Sequence, residues 1–532
     1  MLYPYRTREI KSLCVPLPIN HDAEITRYVS SDPEIRAPTA ISLGCHVVGA
    51  ALPHPDPSDS VSVYDGARKR IAVKMPDKEK AIMEEFKIFV QDWLTTNITP
   101  APPDTDYSVQ TWLEKVPYTK ARKVELKRKH DAVHDPFDKR FTIVKSFIKD
   151  ETYVDYKFPR WINSRTDEFK TFVGPACRVI DEVLFKNPHF IKKVSVRERP
   201  KLIMEKLRMD GCTYFATDFS SFEAHFDRQM MECAEFQLYE HVLKFAPEKE
   251  RIMKHMNALK GTNKCVNKYV TVTTQARRMS GEMTTSSGNG FTNLMLILFM
   301  MKKMNNKNVE VFVEGDDALG RFQGEFPTKE LISRLGLSLK IELVTDLNCA
   351  SFCGMVFDAD ELKIVTDPIV ELLSFGYTTQ RYLHASKRRH MELLRSKALS
   401  MAYSYDGCPI LGALSRYALR VTHGYRARAP IMDQYNMIGH EEAMEYIRKN
   451  GIPMSEPGPR TRELVERLYG IPIQIQREYE EYLDSLTTLQ PLDAGSIFSK
   501  IPHQFVHYYE NYSVAGKISN VIFPSDFHPT NY

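Results

Sequence analysis

An α+β fold is what this sequence predicts, and three observations carry that expectation. Residues 309–322, VEVFVEGDDALGRF, spell two short strands, Val309–Val313 and Ala318–Phe322, joined by a tight turn of Gly315, Asp316 and Asp317. Val, Phe and Leu supply the strand propensity, and Gly-Asp-Asp supplies the turn chemistry. Alternation over Thr213–Asp218 predicts a further strand. Apolar residues at Ile82, Phe86, Phe89, Val90 and Trp93 predict an amphipathic helix over Asp77–Leu94, and 386–403, SKRRHMELLRSKALSMAY, predicts another. At 532 residues, 43% hydrophobic, the chain is long enough for several subdomains.

The net charge of +4 hides a segregation. Lys120–Lys149 holds ten Lys/Arg against four Asp/Glu, and Arg381–Arg428 holds ten against only Glu392 and Asp406. Two basic segments in an otherwise acidic chain suit a polyanionic partner, although solvated basic faces have the same composition. The nine Cys include no CxxC pair and no Cys/His zinc spacing, so free thiols in a reducing compartment are expected. MLYPYRTREIKSL lacks the apolar core of a signal peptide. The longest apolar run, Leu294–Met301, falls far short of the ~20 residues that span a bilayer.

In chain order, Pro100, Pro102 and Pro103 end the first long helix, Lys120–His130 is a basic helix, and 141–148, FTIVKSFI, is a strand. Lys149, Lys157, Arg160 and Arg165 are then spaced along extended or loop-forming sequence. Cations at such intervals either line a channel that binds triphosphate or decorate an exposed loop. Asp218 ends its strand and Glu223 follows; Asp218 is either a ligand in a two-metal site or the cap of a helix expected over Glu223–Glu240. Residues 279–301, MSGEMTTSSGNGFTNLMLILFMM, predict a turn at Ser280-Gly281 and a helix capped by Thr284 or Thr285. Thr285, Asn289 and Asn293 fall on one face of it, and a polar face on so apolar a helix needs hydrogen-bond partners. Gly288-Asn289-Gly290 lacks the third Gly and the context of a dinucleotide fingerprint. A helix over Lys329–Leu335 and strands over 337–344 and 350–357 follow; from Glu371 onward the pattern is mainly helical, with a loop at 451–458. Adjacent carboxylates on a hairpin tip, as in Asp316-Asp317, suit a hard cation such as Mg²⁺ or Mn²⁺, and equally a polar surface turn.

The ordered series Asp218-x₄-Glu223, Ser280-Gly281-x₃-Thr285-x₃-Asn289 and Gly315-Asp316-Asp317 resembles the palm motifs of RNA-dependent RNA polymerases of positive-strand RNA viruses. The wording DFSSFEAHF, SGEMTTSSGNG and EGDD is most similar to the tombusvirus- and nodavirus-like supergroup. KDE…KFPRWINSR resembles that group's basic nucleotide motif, and LSLKIE and ASFCG its two later palm motifs, so the likeness covers about residues 141–415.

The resemblance implies a right-hand fold with an antiparallel palm sheet flanked by helices. Residues 1–210 would be an N-terminal extension and fingers, 211–230 and 279–370 the palm, 231–278 a fingers insertion, and 371–532 the thumb and C-terminal region. It implies two Mg²⁺ ions, with Mn²⁺ as substitute, held by Asp218 and Asp316 with Asp317 as auxiliary. Ser280 and Gly281 would form a mobile loop, Thr285 and Asn289 would read the ribose, and Glu223, where the family generally has Asp, would contribute to sugar selection. Lys149, Lys157 and Arg160 would neutralise the triphosphate, and Lys340 would protonate the pyrophosphate. Arg381, Lys387, Arg388, Arg389 and Arg395 would grip the RNA backbone. Expected partners are template and product RNA, ribonucleoside triphosphates, and viral or host replication proteins that anchor the chain at membrane-associated complexes in the host cytoplasm. A non-catalytic RNA-binding replication factor and another palm polymerase, such as a reverse transcriptase, are the competing implications.

Overall fold

The computed structural model describes residues 18–28, 40–55, 57, 59–133, 139–155, 157–219, 221–382, 384–428, 437–509 and 521–522. The stretch 1–13, Ser220 and the tail after Ser513, apart from Val521–Ile522, lie outside the described residues. The architecture mixes helices and sheets as an α+β fold. At its middle, a four-stranded antiparallel sheet runs in the order Leu339–Val344, Thr213–Phe219, Asp317–Gln323, Lys307–Glu314. Val311, Val313, Ala318, Phe215 and Phe322 are buried from it into the largest core. That core also takes the apolar run of the helix Thr285–Lys303 and one face of the helices Lys80–Asn97 and Asp167–Leu184.

Gly320 sits at the tightest point of this sheet. A Cβ there would lie 2.5 Å from Phe215 Cζ and 2.6 Å from the Glu310 carbonyl oxygen. Overpacking of a core costs about 1–3 kcal/mol. Gly320→Ala is therefore expected to lower the unfolding free energy by about that amount, read as a lower urea midpoint; an unchanged midpoint would mean that the strand gives way freely.

A second sheet of five strands orders Glu24–Arg27, Val270–Gln275, Thr262–Val266, Ile143–Ile148 and Trp161–Arg165, with only the 262–266 and 143–148 pair parallel. It brings together segments more than a hundred residues apart in the chain. The C-terminal region is built of the helices Lys387–Ser404, Leu411–Val421, Met437–Asn450, Pro459–Tyr469 and Ile473–Ser485. Leu43, Cys45 and Val47 are buried among four of these, and Ala40–Ser42 pairs with Tyr377–Thr379. The N-terminal segment therefore joins both the five-stranded sheet and the C-terminal helices.

Two sequence expectations are corrected. The helix expected over Glu223–Glu240 is broken into a 3₁₀ turn, Phe222–His225, and the helices Arg228–Cys233 and Glu235–Val242. Its cap is Asp227, whose carboxylate accepts from Met230 N–H (2.8 Å), not Asp218. The His225 ring, accepting from Ser338 N–H (2.8 Å), holds the 3₁₀ turn against the start of strand Leu339–Val344. The strand expected over 350–357 is a tight hairpin, Ser351–Phe352 and Met355–Phe357, turning at Cys353 (φ 54°) and Gly354 (φ 73°). All eight cysteines among the described residues are free thiols. No described helix is long and apolar enough to cross a membrane.

Candidate active site

The hairpin tip organises the site. Strand pairing runs to Glu314 opposite Asp317, leaving Gly315 and Asp316 as the turn. Gly315 has φ +63°, a backbone conformation that costs glycine little, and no atom crowds it, so backbone freedom is the reason for glycine here. The buried helix Thr285–Lys303 holds the tip from below: Asn293 Nδ2 donates to the carbonyls of Gly315 (3.2 Å) and Asp317 (3.1 Å). That is the partner its polar face required.

Thr217 pairs with Ala318, so Asp218 emerges beside Asp317 at the end of the neighbouring strand. Lys340 pairs with Asp218 from the other side and is exposed. Glu223 stands on its 3₁₀ turn next to Asp316. The electrostatics report this crowding directly. Burial, then the Glu223 and Asp317 carboxylates, push Asp316 up to about 7. Burial and the Asp218 carboxylate push Asp317 up to about 6, while a hydrogen bond from the Cys353 thiol opposes the shift. Burial works against the charge of Arg160, yet Glu151, Glu223 and Asp316 outweigh it and hold the guanidinium above its ordinary value. Arg160 thus faces the acidic tip.

The Lys149–Arg160 segment closes on itself through Lys149 N–H donating to Arg160 O (2.8 Å). Glu151, which the sequence did not single out, pairs with Lys149 (2.8 Å) and Arg160 (3.6 Å), and Lys157 lies 4.9 Å over the Tyr153 ring. Arg165 departs from the expected row of channel cations. It is buried and donates to Glu282 (2.8 Å) and Phe141 O (2.9 Å).

The 279–284 loop is hydrogen-bonded to the strand Trp161–Arg165. Ser280 Oγ donates to Trp161 O (2.8 Å) and accepts from Asn163 N–H (3.2 Å), and Gly281 N–H donates to Asn163 O (2.9 Å). A Cβ on Gly281 would lie 2.9 Å from that same oxygen. Thr285 spends its hydroxyl proton locally, with Met279 O (3.0 Å) and Glu282 O (3.1 Å) as its acceptors, which leaves it only acceptor capacity toward a ligand. Asn289 is 4% exposed, and its Oδ1 has no hydrogen-bond partner among the described residues. A buried, unsatisfied amide beside the tip is a poised recognition group.

Beyond the tip, Arg199 pairs with Glu314 (3.0 Å), with the Cys353 thiol 4.0 Å from the same carboxylate. Glu314 adjoins the Gly-Asp-Asp triplet, so adjacency was its available signal; Arg199 and Cys353 had none. In the C-terminal helices, Arg381, Lys387 and Arg388 are exposed. Arg389 donates to Arg428 O (2.8 Å) and Arg395 to the carbonyls of Leu419 and Thr422 (both 3.2 Å), so these two serve the fold first.

Among the described residues, no three or more His, Cys, Asp or Glu side chains are drawn together closely enough to hold an ion. The donor set nonetheless fits a hard divalent cation: oxygen-only carboxylates around one tip, each raising another's pKa, are what such an ion neutralises.

No curated protein matches the chain. Residues 61–320 match the family model of viral RNA dependent RNA polymerase, a span that takes in the Lys149–Arg160 segment, Asp218, the 279–284 loop and the hairpin tip. With that match over this geometry, the chain is an RNA-directed RNA polymerase, a nucleotidyltransferase of viral RNA replication.

Proposed function

We propose that this polymerase extends an RNA 3′ end on an RNA template by two-metal nucleotidyl transfer, and that it is of the tombusvirus- and nodavirus-like kind. The observation that carries this reading is the gathering of Asp218, Glu223, Asp316 and Asp317 around one tip with Arg160 facing them. Asp218 and Asp316, with Asp317 as auxiliary, would hold two Mg²⁺ or Mn²⁺ ions. Such ions activate the attacking 3′-oxygen and stabilise the departing one. Arg160, Lys149 and Lys157 spread positive charge along the triphosphate, and Lys340 gives a proton to the leaving pyrophosphate. Asn289, with its free acceptor, and Glu223 receive the ribose hydroxyls, and Thr285 contributes an acceptor. The four-stranded sheet is the palm, the five-stranded sheet lies in the fingers, and the helices from residue 371 form the thumb, where Arg381, Lys387 and Arg388 meet the RNA backbone. Replication proteins, viral or host, would hold the enzyme at membrane-associated complexes of the host cytoplasm.

Labelled ribonucleotide incorporation on an RNA template with Mg²⁺ or Mn²⁺ tests this. Asp218→Asn is expected to lose about a hundredfold or more of the wild-type rate, as deletion of a group aimed at transition-state charge does. A wild-type chain inactive across metals and templates, yet binding RNA, would support the non-catalytic replication factor instead.

A further inference from the structure

The turn Arg68–Ala72, a single π turn continuing the helix Ser60–Ala67, belongs to none of the motifs discussed above. Its position is fixed from two sides. The helix is pressed onto the segment that ends the basic loop: a Cβ on Gly66 would fall 2.8 Å from Trp161 Nε1 and 2.9 Å from Pro159 O, and Trp161 Nε1 donates to Val63 O (3.1 Å). The turn itself packs against the 3₁₀ turn Phe222–His225, which carries Glu223. Ile71 and Ala72 are buried with Val63, Val144 and Trp161. Lys69 and Arg70 are thereby set, half-buried, on a turn that packs against the one carrying Glu223. π turns recur at functional sites.

The charge around them is lopsided. Lys69 feels burial first, then Arg70 and Lys340, all of which hold its ammonium below the ordinary lysine value. Lys157 is lowered by burial and by Arg70, with Glu151 opposing. Arg70 Nε is buried with no hydrogen-bond partner among the described residues. Lys69, Arg70, Lys157, Arg160 and Lys340 thus act on one another from three elements, while the carboxylates that reach Lys157 and Arg160 are Glu151, shared with Lys149, Asp155 and the acidic tip itself. Half-buried cations that repel one another call for a compact polyanion. A diester backbone carries one charge per phosphate along an exposed groove; a polyphosphate tail concentrates its charge in one pocket.

We propose that Lys69 and Arg70 form a second wall of the polyphosphate subsite, binding the β- and γ-phosphates of the incoming nucleotide and the pyrophosphate it releases. This rests on the polymerase reading above.

Binding of inorganic tripolyphosphate to the 532-residue chain, followed by calorimetry, needs no turnover and so separates this inference from that reading. Lys69→Gln and Arg70→Gln are each expected to weaken tripolyphosphate about tenfold, the loss of one charge-assisted hydrogen bond. Lys69→Arg is expected to keep wild-type affinity, which a fold defect would not allow. In incorporation assays the same Gln variants are expected to raise KM for ribonucleoside triphosphates while RNA affinity holds. Unchanged tripolyphosphate affinity in both Gln variants would overturn the proposal. So would lost RNA affinity with an unchanged KM, which would place the RNA backbone at this turn. A wild-type chain that binds tripolyphosphate through these residues but incorporates nothing would sink the polymerase mechanism and leave this site standing.

Discussion

Asp316→Asn is expected to abolish incorporation and, without divalent cations, to make the protein more stable. The sign follows from the direction of the shift. An unfolded chain holds this carboxyl near the ordinary value of about 3.9, whereas burial, Glu223 and Asp317 push it up to about 7 in the fold. Between those values the folded state keeps a proton that the unfolded state has released, so stability falls as pH rises through the window from about 4 to about 7. Above it the ionised carboxylate weighs against the fold by about 4 kcal/mol. Asn removes that charge and also relieves Asp317. Thermal or urea denaturation with a chelator should therefore place the variant above the wild type at pH 8, with the gap closing toward pH 4. Mg²⁺ should raise the wild type more than the variant. A variant no more stable than the wild type at pH 8 would refute the account, because the repulsion it removes would then not exist.

The same tip shows how far a sequence can be followed. Its strands, its turn and the placing of Asp218 were legible because alternation and a Gly-Asp-Asp turn are local rules. Helix Thr285–Lys303 was legible too, including the demand that its polar face find partners, which Asn293 meets. What failed depended on distance along the chain. Arg160 and Arg165 look alike in the sequence, five positions apart in one basic stretch. One faces the acidic tip, while the other is buried because Glu282, 117 residues later, folds beneath it. Arg395 likewise counts as a thumb cation until Leu419 and Thr422 present their carbonyls to it. The break at Phe222–His225 was hidden for another reason: Ser221 takes φ 58°, which apolar periodicity cannot reveal. Charge counts locate a basic region. They do not say which cations are left over after the core has taken its share.

Removing Arg278 is expected to be the most destabilising single change around the site. Its guanidinium is fully buried, pairs with Glu235, lies 3.4 Å from Glu282 and stacks 4.6 Å from the Phe226 ring. Glu282 in turn binds Arg165 (2.8 Å), and Tyr239 OH donates to Glu235 (2.7 Å). The network also explains a glycine that resembles a nucleotide fingerprint: a Cβ on Gly288 would fall 2.5 Å from Glu235 Oε2 and 2.6 Å from Arg278 Nη2. Truncating one partner of a buried pair leaves the other charge uncompensated, at about 3–5 kcal/mol. Arg278→Met should lose about that much by urea denaturation. The double variant Arg278→Met/Glu235→Leu should recover part of it, since an apolar replacement of both leaves a smaller unpaired charge. The functional consequence is separable from the stability. Arg278 and Glu282 flank Ser280 and Gly281, and with Arg165 they fix that loop to the strand Trp161–Arg165. If the network exists to place the loop, the double variant will stay well folded yet incorporate ribonucleotides poorly. If it regains both stability and rate, the ions serve the core alone, and the loop is held by the Ser280 and Gly281 backbone bonds without them.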